Sequence, residues 1–427
     1  MQIDISALEQ KLNAKTKEER LDALRELIAL ENEGKIDKPQ TGAYVNNHIH
    51  TIYSFSPYSP TAALYFARKA GLITAGIMDH DSVSGCKEFI EAGEIASMAV
   101  TCGFECRVRM DHTSLAGIRT NNPDQKGVSY VAIHGIPHQM IDKCEEFLKP
   151  YRDKRNMRNR EMTKKINEIV APYGLSIDFD KDIAPISQSY ENGSITERHI
   201  LCALANKIIE KCTKGAPVVD FIKNSLNISL SEKIEGFLSD DKNPHYIYDL
   251  LGVLKSNFVS QFFIDAVDEC PFIEDYIAFA NSIGAISAYA YLGDVGDSVT
   301  GDKKAQKFED EYLDELFDML GDLGFKAVTY MPSRNTMAQL ERVMKLCEKY
   351  DLFQISGEDI NTSRQSFICP ALEKPEFAHL STATWVLIGH EKAASKDIDD
   401  NMFSEKIVAK YPKIKDRIPY YENIGKN

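Results

Sequence analysis

The chain has 427 residues, 43% of them hydrophobic and 27% charged, with a net charge of −14, long enough for one large domain with an insertion or for two compact units. The acidic balance excludes a general nucleic-acid-coating role, which needs a positive surface. No signal-peptide pattern opens the chain, no apolar run nears the ~20 residues of a membrane span, and nine cysteines occur without CxxC pairs, so a soluble cytoplasmic protein with reduced thiols is expected.

Residues 4–33 read as two helices, with Leu8, Leu12, Leu21, Leu24, Leu27, Ile28 and Leu30 at spacings near three and four. Thr16 with Glu19 three residues on caps the second, and Gly34 ends it. This prefix is expected to pack on the main body of the chain and not to act as a lid or oligomer arm. From 43 to about 136, strand-like and helix-like runs alternate, which predicts a parallel sheet with βαβ crossovers. The run 43–45 leads into His48-Ile49-His50, the run 73–78 into Asp79-His80-Asp81, and the run 98–104 into Glu105. Side chains alternate with period two, so His48 and His50 share one face and can enter one coordination sphere. A lone HxH is a weak signal. Three consecutive strand ends carrying His, His and Glu are hard to explain by packing. A further strand over 128–133 ends in His134.

Between 137 and 265 the pattern turns mostly helical and reads as an inserted subdomain. Its basic run, with Arg152, Lys154, Arg155, Arg158 and Arg160, is expected to be a solvated helix face, the alternative being a local attractor of an anionic substrate. After 266 the alternation resumes, with strands predicted at 285–291, 327–331 and 353–356. The last runs into Gly357-Glu358-Asp359-Ile360-Asn361, another carboxylate pair at a strand end. The tail beyond 375 carries no nameable chemistry, and no internal repeat or low-complexity tract occurs.

The order of these strand-end residues resembles the PHP (polymerase and histidinol phosphatase) superfamily of metal-dependent phosphoesterases. The match runs in pieces from about 43 to 361. His48-Ile49-His50, followed by the run Gly76-Ile77-Met78-Asp79-His80-Asp81-Ser82-Val83-Ser84-Gly85, looks like the family's strand–DHD–x–V–x–G signature. Gly103-Phe104-Glu105 is similar to its G-x-E, Thr196-Glu197-Arg198-His199 to its R-x-H-type segment, and Gly357-Glu358-Asp359-Ile360-Asn361 stands where it has G-S-D-x-H. The resemblance implies an α/β fold, a distorted (β/α)7 barrel: 1–40 an N-terminal helical extension, 41–136 and 266–375 the barrel, 137–265 the helical insertion, and 376–427 a C-terminal tail packed on the barrel.

The resemblance also implies ligands. A first metal would take His48, His50, Glu105 and Asp359. A second would take Glu105 and His134, with Tyr291 where the family has histidine, and a third keeps only His80. Three departures stand out: Ser54-Phe55-Ser56 in the loop after HxH, Ala290-Tyr291-Leu292 for A-H-P, and Asn361 for the last histidine. Asp294 or Asp297 could supply replacement oxygens. One or two divalent metals (Zn, Mn or Fe) are expected. Arg198, Arg334 or an arginine between 152 and 160 would hold phosphate. His80 and His199 are the catalytic candidates. His80 reads equally as ligand or substrate-facing group, and His199 as ligand, acid at the leaving group or part of a helix N-terminus. Asp79 and Asp81 would orient ligands, while His112, His138, His245, His379 and His390 lie off the pattern.

The function implied is a phosphoesterase that hydrolyses a small phosphorylated molecule with metal-activated water. The partner expected is that small molecule, with no membrane or general nucleic-acid binding and with homo-oligomerisation left open. The rivals are a non-catalytic PHP-fold binding protein keeping one structural metal, and a metal hydrolase of non-phosphate esters or amides.

Overall fold

The computed structural model describes residues 4–295 and 307–427. Strands β1 (Tyr44–Ile49), β2 (Leu72–His80), β3 (Ala99–Arg109), β4 (Val128–His134), β5 (Ile286–Ala290), β6 (Ala327–Tyr330) and β7 (Phe353–Ser356) form one sheet in sequential order. They are buried along nearly their whole length, as strands covered on both faces are. The sheet curls into a half-barrel until its first strand meets the segment leaving its last. Ile49 and Ile360 form a parallel bridge, with His50 N–H donating to Ile360 O at 2.9 Å and Ile360 N–H to His48 O at 3.1 Å.

The expectation of a parallel sheet over 43–136 holds for β1, β2 and β3 and fails at β4, which is antiparallel to both β3 and β5. The reason lies in the β3–β4 connection. Residues 110–127 hold only turns and bends, and without a crossover helix the chain can only double back. The reversal pairs His134 with Gly103. Gly103 and Glu105 share a strand face, so His134 sits one pleat deeper than Glu105 on that face.

The helices Ile5–Lys11 and Lys17–Asn32 cover one flank of the barrel, the second begun by a Thr16–Glu19 capping box. The insertion has its own apolar cluster, which includes Ile166, Leu204, Leu250 and Phe262 and takes in Phe55 from the loop after β1. Its first and longest helix, Ile141–Val170, overturns the expected solvated basic face. Arg152, Arg155 and Arg158 are buried, because carboxylates from three other segments and one from their own helix meet them. Arg155 pairs with Asp81, whose carbonyl accepts from Arg152 at 3.0 Å, and Arg152 pairs with Glu145. Arg158 reaches Glu197 at 2.7 Å and Glu269 at 2.5 Å, while Arg107 of β3 reaches Glu197 at 2.9 Å. Of the basic residues singled out in that run, Lys154 and Arg160 do face solvent, Arg160 paired with Asp180.

The C-terminal helices Ala378–Lys396 and Ile414–Lys426 cross at Gly389 and Gly425, backbone against backbone. A Cβ on Gly389 would overlap the carbonyl of Tyr421, and one on Gly425 that of Trp385. Backbone cannot swing aside as a side chain can. Gly389→Ala is therefore expected to cost about 1–3 kcal/mol or more of stability, as overpacking does, read as a lower urea midpoint. An unchanged midpoint would mean that the helices separate at no cost. No helix among the described residues is long and apolar enough to cross a membrane.

Candidate metal centre

Four chain segments meet where β1 closes on the segment after β7. β1 delivers His48 and, one residue past its end, His50; β2 ends in His80; β3 carries Glu105; the strand-leaving turn after β7 carries Asp359. Three imidazoles point at one oxygen. Glu105 Oε1 lies 3.5 Å from His48 Nε2, 3.5 Å from His50 Nε2 and 3.0 Å from His80 Nδ1. Asp359 Oδ1 lies 3.2 Å from His50 Nε2. The donor atoms of His48, His50 and Asp359 form one group within 4.8 Å, and those of His50, His80 and Glu105 form another. His50 thus belongs to both donor sets, which overlap at its ring.

The electrostatics reflect this crowding. Burial would raise the Glu105 carboxyl, but His80, His48 and His50 outweigh it and hold its pKa at about 2. Burial drives His80 down to about 3 against the pull of Glu105. His48 moves the other way: burial lowers it, yet Glu105 and Asp359 leave it raised. The partly exposed Asp359 carboxyl is held well below its usual range by His50, His48 and Arg198, which outweigh its burial. A negative pair facing three imidazoles is a donor set that suits a divalent cation.

Around these groups sits a hydrogen-bonded brace. Asp79 accepts from Thr51 N–H at 2.7 Å, Thr51 Oγ1 at 2.6 Å and Ser54 Oγ at 2.6 Å, and Ser54 Oγ lies 3.2 Å from His50 Nδ1. Asn46 accepts the His48 N–H at 2.9 Å and donates to Glu358 O at 3.0 Å. Asn361 Nδ2 donates to Asp359 Oδ1 at 2.6 Å, so the residue standing for a histidine steadies a carboxylate. Phe55 adopts φ 95°, a left-handed conformation that costs a side-chain-bearing residue of order 1–3 kcal/mol, and packs edge-on against His199 and beside Tyr248. The insertion's core thereby holds the loop that carries Ser54.

The remaining candidates fall at varied distances from this centre. His134 stays outside both donor groups, though it feels the charges of His48 and Glu105; burial pushes it to about 3, and its Nε2 is buried without a hydrogen-bond partner among the described residues. Tyr291 donates to Asp310 Oδ1 at 2.5 Å, and Asp294 accepts from Phe308 N–H at 2.6 Å, both in the loop after β5. Asp297 lies outside the described residues. His199 Nδ1 accepts the Thr196 N–H at 2.9 Å at the start of its helix, and burial drives it to about 3. Arg198 donates to Asn361 O at 3.5 Å beside Asp359. Arg334 Nε donates to Leu292 O at 3.0 Å, and its terminal amino groups make no hydrogen bond to the described residues. The buried arginines 152, 155 and 158 are already committed to carboxylates.

Reading the sequence missed the orienting residues Ser54 and Asn46. Asn46 had a signal, an Asx side chain two residues before a ligand-type histidine. Ser54 had none beyond its place in the loop.

No family model matches the chain, nor does any curated protein. The similar solved structures include the following two. One, a provisionally assigned metal-dependent phosphoesterase from Bifidobacterium adolescentis, is 18% identical over 79% of this chain and 96% of its own, with a TM-score of 0.49. The other, an amidohydrolase from Chromobacterium violaceum with bound sulfate and no metal, is 14% identical over 80% of this chain and 96% of its own, with a TM-score of 0.50. The likeness to the second shows a shared fold.

Proposed function

We propose that the chain is a PHP-type metal-dependent phosphoesterase that hydrolyses a small phosphorylated molecule. The observation that carries this reading is the convergence of three imidazole nitrogens on Glu105 Oε1 within 3.5 Å, with Asp359 completing the ring of donors. The fit to a metal has an independent sign in this fold: His50 Nε2 is a buried polar atom without a hydrogen-bond partner, set among carboxylates. His48, His50, Glu105 and Asp359 would hold one divalent ion, zinc, manganese or iron. His80 with His50 and Glu105, or His134 from the pleat below, would serve a second. When bound, the metal supplies Lewis-acid polarisation of the ester and water of near-neutral pKa.

The chain's own residues do the rest. Arg334, whose terminal amino groups make no hydrogen bond to the described residues, and Arg198 both lie within electrostatic reach of Asp359, so the two guanidinium groups can hold phosphate oxygens in a fixed orientation. His80 and His199, both pushed to about 3 chiefly by burial, are neutral at pH 7, so they orient neighbouring groups and are not standing positive charges. The insertion roofs the cleft, and nine free cysteines support a reducing, cytoplasmic setting. A second reading, hydrolysis of a carboxylic ester or amide, draws support from the likeness to an amidohydrolase.

The test is a panel of phosphomonoesters, short nucleotides, carboxylic esters and amides, assayed after chelation and after zinc, manganese or iron is restored. Expected is metal-dependent release of inorganic phosphate, lost on chelation. Turnover of esters or amides alone would move the assignment to the second reading. No turnover despite bound metal would leave a binding protein with one structural metal.

A further inference from the structure

Ser54 sits where neither a charge nor a ligand announces it, yet its hydroxyl touches both Asp79 and His50. A hydroxyl carries one proton, so its two contacts cannot both be donations from Ser54. Their lengths decide the direction. The Ser54–Asp79 contact is 2.6 Å, the length of a charge-assisted hydroxyl–carboxylate bond, whereas the Ser54–His50 contact is 3.2 Å. The proton therefore lies toward Asp79, and the serine oxygen is left as an acceptor facing His50 Nδ1. Asp79 is in turn fixed by both donors of Thr51, at 2.6 and 2.7 Å, so it cannot turn away.

We propose that Ser54 is a positioning residue that keeps the proton of His50 on Nδ1 and so presents the lone pair of Nε2 to the centre. Three observations meet in this assignment. Ser54 is 2% exposed and His50 1%, so water does not compete for Nδ1. His50 Nε2 is aimed at carboxylate oxygens 3.2 and 3.5 Å away, so the ring is already turned with this nitrogen toward the place a cation would take. The loop is clamped by Phe55, which the insertion's core holds at φ 95°. The relay Asp79–Ser54–His50 thus joins the end of β2 to the end of β1 through one hydroxyl. A side chain that fixes the tautomer of a ligating imidazole is worth tenfold to a hundredfold in metal affinity, as a rough range.

The assignment rests on the metal reading above only for its effect on affinity; the proton's place is testable without any metal. The first measurement is long-range proton–nitrogen correlation NMR of the metal-free chain with labelled histidine, His50 being assigned through His50→Gln. Expected is an Nδ1–H tautomer for His50 in the wild type and in Ser54→Thr, and its loss in Ser54→Ala, which removes a single oxygen. The second measurement is zinc and manganese binding by titration calorimetry, with Ser54→Ala weaker by about ten- to a hundredfold and Ser54→Thr near wild type, urea midpoints being the control for folding. An Nε2–H tautomer in the wild type, or an unchanged Nδ1–H tautomer in Ser54→Ala, overturns the assignment. A wild type that binds no metal but shows the expected tautomers would sink the metal reading and leave the relay standing.

Discussion

Replacing Glu197 by alanine should lower the unfolding free energy by about 3–5 kcal/mol, the range for stripping one partner from a buried ion pair. Glu197 is the carboxylate at which Arg107, Arg155 and Arg158 meet, at 2.9, 3.4 and 2.7 Å. Four largely buried arginines (107, 152, 155 and 158) face four carboxylates, Asp81, Glu145, Glu197 and Glu269, so the charges balance only while all are present. Without Glu197, Arg107 keeps only a 3.9 Å contact with Glu269, and Arg155 keeps only Asp81. An unpaired buried guanidinium costs far more than the lost attraction of an exposed pair, worth about 0–1 kcal/mol. Exposed charge pairs elsewhere, such as Lys149–Asp153, therefore make the control. Urea unfolding of Glu197→Ala beside Asp153→Ala checks the claim, and equal small losses in both would refute it. High salt should not rescue Glu197→Ala, because buried charges are poorly screened.

The second large effect is expected at Glu105. Glu105→Gln preserves volume and one oxygen but removes the negative charge toward which His48, His50 and His80 all point. It can also place an amide donor among imidazole nitrogens whose lone pairs a metal would need. Metal affinity should fall by roughly a hundredfold or more, beyond the tenfold to hundredfold typical of outer supporting groups. Elemental analysis and titration calorimetry of the variant measure it, with Asp81→Asn, whose side chain pairs with Arg155 and belongs to neither donor group, as comparison. Wild-type affinity in Glu105→Gln would remove Glu105 from any ligand set. A drop in Asp81→Asn as deep as that in Glu105→Gln would point to a collapsed loop and not to lost ligation.

How much of this was legible in the chain depends on the range of the interaction. The ends of β1, β2 and β3 could be read because period-two alternation and strand length are local, and His48, His50, His80 and Glu105 stand at those ends in sequence as in space. Asp359 was legible for the same reason, one turn past β7. The reversal of β4 went unread, although its cue was local: residues 110–127 are rich in turn formers and hold no helical period. Burial of Arg152, Arg155 and Arg158 could not be read locally. A basic run looks solvated until Asp81, Glu197 and Glu269 arrive from three other segments, one of them 111 residues from its arginine. Ser54 was opaque for a third reason, since one hydroxyl leaves no trace in hydropathy, charge or period.

The reversed strand has a mechanical result. Because β4 runs against its neighbours, the chain leaves it at the end of the barrel away from the carboxyl ends of β1, β2 and β3. Six residues later it enters a thirty-residue helix, Ile141–Val170, which at 1.5 Å per residue is about 45 Å long, enough to climb the whole barrel. That helix is a strut as well as a connector: it carries Arg152, Arg155 and Arg158 up to the mouth, where they seize the loop of His80 and the start of the helix bearing Arg198. A flap on a flexible stalk could swing open alone. A strut tied by buried charges cannot, so the roof and the mouth of the barrel form one cooperative unfolding unit, and their amides should exchange with solvent together.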